Sequence, residues 1–110
     1  MKIINLTPHA LNIYDSAGDL VETVPPSGMV VRADVRRRMV EKRGHVELYE
    51  SVYSGAWELG APEPDSVYVV SMLYLSALRA DGLSDEGVYV PGEAVRDEAG
   101  RVVGCVGLSR

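Results

Sequence analysis

The stretch "NLTPHALNI" sets Asn5, Thr7 and His9 at alternate positions around Leu6 and Pro8. In extended chain, alternate residues share a face, and Pro8 holds Thr7 extended. Three donors and acceptors side by side could line a pocket. The competing reading is structural: Asn5 and Thr7 bond to nearby backbone in a turn, with His9 at the surface. A second candidate is the junction "VYVVSMLYL". A strand that runs straight into a helix leaves free backbone N–H groups at the helix mouth, where anions bind. Ser71 would cap that helix and add a hydroxyl. A third is "VRDEAGRVVGC", where Arg96 and Arg101 flank a turn. Two guanidinium groups that close could hold a phosphate or carboxylate, although Asp97 and Glu98 compete for them.

The remaining chemistry-bearing residues are fewer. Cys105 is the single cysteine. With His9 or His45 it makes the one available thiol–imidazole pairing, but a free cysteine is more often a small core residue. His9 alone could serve a small hydrolase. No Cys or His pair has a short metal-ligand spacing. There is no G-x-x-x-x-G-K-[ST] and no G-x-G-x-x-G, and no cofactor is expected.

Charge is unevenly spread. The net charge is -5. Between residues 32 and 43, six basic residues (Arg32, Arg36, Arg37, Arg38, Lys42 and Arg43) stand against Asp34 and Glu41, so this window carries +4 and the rest -9. Such asymmetry can mark a partner-binding face. The window lacks the interleaved aromatics that stack on bases, and the acidic remainder would repel a polyanion. Nucleic acid is therefore disfavoured against a small anion or an acidic protein surface.

These residues need elements to position them. "DSAG" at 15–18 and "DEAG" at 97–100 share a turn grammar: Asp bonds to backbone two residues on, and Gly reaches positive φ. Each predicts a type I turn with a G1 bulge closing a hairpin. Gly44 closes a third. The predicted arms are 10–14 with 19–24, 36–41 with 45–50, and 94–97 with 101–106. "MVVRADV" (29–35), "SVYVV" (66–70) and "GVYV" (87–90) read as further strands, the last stopped by Pro91-Gly92. "SMLYLSALRADG" predicts one helix over 72–81, about 15 Å long. Met72, Leu75, Ala77 and Leu78 would form its apolar face, and Gly82 its stop. The fold expected is α+β and mainly antiparallel: seven or eight short strands, one helix, and a single domain over 1–110.

The opening "NLTPHALNI", the internal "PPSG" and "VYVVS", and the closing "VYVPGEAVRDEAGRVVGCVGLSR" together resemble a group of short phage, prophage and actinobacterial proteins of no assigned activity. The resemblance covers both ends and part of the middle, but not the basic window. It implies a small accessory protein acting inside a bacterial host. A cytoplasmic setting also fits one cysteine, no apolar run of membrane-spanning length and no leader-like start.

Two functions follow from the residues. The first is a binding module for a small anionic, nucleotide-like ligand at the helix mouth, using Asn5, Thr7, His9, Ser71, Arg96 and Arg101. The second is a protein-interaction module or host-enzyme inhibitor that works through the basic 32–43 window. An open edge strand could also pair with a second copy of the chain.

Overall fold

The computed structural model describes residues 1–110. Eight strands and one helix follow in the order β1 (Lys2–Asn5), β2 (Leu11–Tyr14), β3 (Leu20–Val24), β4 (Asp34–Arg43), β5 (Val46–Ser54), β6 (Ser66–Val69), α1 (Met72–Ala80), β7 (Val88–Arg96) and β8 (Val102–Ser109). This is the expected mainly-β α+β fold with a single short helix. No helix is long and apolar enough to cross a membrane.

The two Asp-x-Ala-Gly turns fold alike. In the first, the Asp15 carboxylate accepts from the N–H groups of Ala17 and Asp19, each at 3.0 Å. In the second, the Asp97 carboxylate accepts from Ala99 and Arg101, each at 2.9 Å. Gly18 and Gly100 take φ of +92° and +81°, which a side chain would resist. These turns join β2 to β3 and β7 to β8. Gly44 (φ +61°) and His45 form the two-residue loop between β4 and β5.

Six strands make one sheet in the order β1-β6-β7-β8-β2-β3, while β4 and β5 make a separate two-stranded sheet. The hairpins are antiparallel. β6 pairs in parallel with β1 and β7, and β2 with β8. Helix α1 is the crossover between parallel neighbours β6 and β7, the connection such a pair requires.

The six-stranded sheet curls until its edge strands meet at Asn5. The Asn5 side chain on β1 donates to the Val24 carbonyl on β3 at 3.3 Å. One face packs under α1 through Leu6, Val70, Tyr74, Leu75, Leu78, Val88 and Val90. Inside the curl lies a smaller cluster of Leu11, Ile13, Val24, Val69 and Cys105.

Three details differ from the sequence expectation. Residues 29–33 are not a strand; they cross over the helix-side core as coil, with Val31 buried and its N–H on the Leu6 carbonyl at 3.2 Å. The strand begins instead at Asp34. β7 is not stopped by Pro91-Gly92 but runs on to Arg96. The Tyr89 carbonyl accepts from the Val70 N–H, just past the end of β6, so by strand alternation Pro91 faces the same side, where β6 has already given way to α1. No strand there needs the N–H that proline lacks. Gly92 is required because a Cβ would lie 2.0 Å from the Val106 carbonyl oxygen of β8. Finally, the buried helix face is Tyr74, Leu75, Ala77 and Leu78, and Met72 is exposed.

The helix ends as its sequence directs. The Ser71 hydroxyl accepts from the Tyr74 N–H at 3.2 Å. At the other end Leu83 N–H reaches the Leu78 carbonyl and Gly82 N–H reaches that of Arg79, the paired bonds of a Schellman stop. Leu83 packs against the same core as Leu78.

Candidate functional site

The residues singled out in the sequence fall into separate places. Asn5 is buried, and it is a staple. Its amide nitrogen donates to the carbonyls of His9 (2.8 Å) and Val24 (3.3 Å). Its oxygen accepts from the Thr7 N–H (3.0 Å) and hydroxyl (2.7 Å). Every polar atom is used inside the fold. The chain bends at 7–9 rather than staying extended, so Asn5, Thr7 and His9 do not share a face; the local-turn reading describes the geometry.

Arg96 and Arg101 are engaged at their own turn. Arg96 donates to the Gly100 carbonyl at 2.8 Å, and Arg101 pairs with Asp97 at 3.3 Å. His9 lines a different hollow, of about 380 Å³, with Ala10, Asn12, Pro91, Val103 and Cys105. That hollow contains the thiol–imidazole pair, but Cys105 is buried, and the lining contains no carboxylate to orient the imidazole. The arrangement lacks the third group that a nucleophile–base pair needs.

Two of the six candidate ligand residues do come together. Thr7 and Ser71 line a hollow of about 400 Å³ at the amino end of α1, closed by Leu6, Val31 and Leu73. Arg32 and Asp34 stand in the same lining. Arg32 therefore belongs to this hollow and not to the strand that carries the other basic residues. A cation beside a helix amino end suits an anion, and Asp34 opposes it.

A further hollow was not legible in the sequence. All six strands of the curled sheet contribute to it, through Ile3, Ile13, Val21, Val67, Tyr89 and Leu108 among others. It holds about 360 Å³, and Glu22 is the one charged residue in its lining. Tyr89 carries the Arg110 guanidinium 5.4 Å above its ring. Arg110 and Arg79 both grip Asp85, at 3.1 and 2.9 Å. The Arg79 hydrogen bond first, and the Arg110 hydrogen bond next, hold the Asp85 carboxyl below the usual aspartate range.

The remaining five basic residues of the window lie on β4, in the two-stranded ribbon. All ten residues of β4 are exposed. They do not form one basic face. The register pairs Val35 with Tyr53, Arg37 with Ser51 and Met39 with Tyr49, while Arg36 faces Val52 and Arg38 faces Glu50. Alternation therefore sets Val35, Arg37, Met39, Tyr49 and Tyr53 on one side and Arg36 and Arg38 on the other. Side-chain contacts agree: the Arg37 guanidinium sits 4.2 Å over the Tyr49 ring, and Arg38 pairs with Glu50 across the opposite side. An irregularity between Met39 and Glu41 adds Val40 as an extra residue. Val35, Met39 and Val40 are 47%, 53% and 55% exposed, and Tyr49 42%.

At the foot of the ribbon, Trp57 is 65% exposed on an anchored backbone. The buried Tyr74 hydroxyl donates to the Trp57 carbonyl at 2.6 Å and accepts from its N–H at 3.3 Å. Burial raises the Tyr74 pKa, so the hydroxyl stays protonated and able to donate. The ribbon thus presents apolar, aromatic and arginine side chains together, the composition enriched at protein–protein contacts. No protein-family model matches the chain, and none of the curated proteins or solved structures compared with it matches.

Proposed function

We propose that the protein is a binding module whose working surface is the β4–β5 ribbon, and that it acts by protein–protein contact. The observation that carries this is the ten-residue strand β4, exposed along its whole length and paired only with β5. The ribbon's base rests on α1, but a two-stranded ribbon that projects from the body is marginal in water. Surface ion pairs such as Arg43–Glu41 add only about 0–1 kcal/mol. A ribbon of this length that shows Met39, Val40 and Tyr49 to solvent is suited to being covered. The likeness of both chain ends to short phage and prophage proteins fits an accessory role inside a bacterial host.

A photo-cross-linking residue at Val40 tests this, with the same residue at the exposed turn position Ala17 as reference. Incubated alone and with bacterial lysate, the Val40 probe is expected to give discrete protein adducts. Charge reversal at Arg36, Arg37 and Arg38 should remove them. Adducts no stronger from Val40 than from Ala17 would overturn the reading.

A second reading is favoured by the meeting of Thr7, Ser71 and Arg32 at the head of α1: the hollow there takes a small phosphate or nucleotide-like anion. Inorganic phosphate and nucleotides at millimolar concentration should then raise the melting temperature, and Arg32→Ala should abolish the rise. No rise in the unsubstituted protein removes this reading.

A further inference from the structure

We infer that the partner of the β4–β5 ribbon is a second copy of this chain, held through the face that carries Val35, Met39, Tyr49 and Tyr53. This rests on the ribbon being the working surface and names what covers it.

The first argument is area. The chain exposes 7283 Å². A compact monomer of 11.9 kDa exposes about 5,900 Å², so roughly 1,300 Å² is surplus. If each of two copies covers that surplus, the contact totals about 2,600 Å², within the range of obligate homodimers. Shape agrees with area. The radius of gyration is 16.5 Å, where a compact chain of this length has about 13 Å. Only 15 of 110 residues are buried, a thin core for a chain that stands alone.

The second argument is charge. The ribbon, residues 34–54, carries five basic and four acidic residues, a net +1 against -6 for the remainder. One copy's ribbon and another copy's body are therefore complementary, and two copies can satisfy each other reciprocally, as a two-fold contact requires. Within the chain, Arg38 and Arg43 already hold Glu50 and Glu41. Arg37, on the apolar face, forms no ion pair and is free to meet an acidic group of the second copy. Arg37 lies over Tyr49, a pre-ordered aromatic–arginine pair of the kind that dominates contact energies.

Sedimentation equilibrium on the whole chain tests the inference. The unsubstituted protein is expected at twice 11.9 kDa at about 100 µM. Val35→Asp with Met39→Asp places charge in the apolar face at exposed positions. It should give the single-chain mass with an unchanged circular dichroism spectrum. Arg37→Glu leaves those apolar side chains in place and should weaken self-association by about tenfold or more. A single-chain mass for the unsubstituted protein overturns the inference. So does a dimer that both variants leave intact, because its contact would lie elsewhere. If the inference fails in either way while the Val40 probe still captures another protein, the ribbon remains the working surface with a different partner; if the Val40 probe captures nothing, both fail.

Discussion

Asn5 shows how one residue can look like a site and be a joint. Its four bonds tie the end of β1 to the 7–9 bend and to β3. No buried side-chain polar atom lacks a partner, so nothing polar in the core waits for a ligand. Asn5→Ala would remove the amide's bonds to the Val24 and His9 carbonyls and strand the Thr7 N–H. We expect a loss of about 2–3 kcal/mol in urea unfolding. Asn5→Asp keeps the acceptor but cannot donate to either carbonyl, and should be no better. Stability equal to the unsubstituted protein would contradict the staple role. The polarity of "NLTPH" was legible, but its direction was not, because turning inward depends on β3 arriving from 19 residues away. Tyr74 was missed as core for a related reason. Its hydroxyl finds a partner, the Trp57 peptide, that belongs to a distant loop.

Among elements, the hairpins were legible because their determinants are local: an Asp that caps its own turn and a Gly three residues on. The helix and its stop were legible for the same reason. The parallel pairings of β6 and β2 were not, since nothing in a strand's own residues names a non-adjacent partner. Nor was the passage of β7 through Pro91, which depends on β6 ending beside it. One inter-element tie makes a pH prediction. Asp85 joins Arg79, in the last turn of α1, to Arg110 beyond β8. Its pKa in the fold lies below its ordinary value of 3.8, because the ionised form accepts hydrogen bonds from Arg79 and Arg110. A depressed carboxyl contributes stability that is complete above the unfolded pKa and is lost as pH falls through the folded one. Asp85→Asn removes that contribution. The variant should melt lower at pH 7, and the gap should narrow below about pH 4. A gap that stays constant down to acid unfolding would remove the ion pair as its cause.

At the scale of the molecule, a curled six-stranded sheet with one covering helix positions a ribbon that the sheet itself does not use. The sequence marked the ribbon's basic residues but not its separation. Alternating residues look the same whether their strand joins the main sheet or stands apart. They also concealed that consecutive arginines point to opposite sides, which leaves an apolar face between charged rims. The inferred homodimer depends on that face being covered in solution by a second chain. Hydrogen exchange across a concentration series tests this most directly. Amides of residues 34–54 should gain protection as concentration rises through the dimerisation range, while those of the six-stranded sheet stay constant. Ribbon amides that exchange at one rate at every concentration would contradict it.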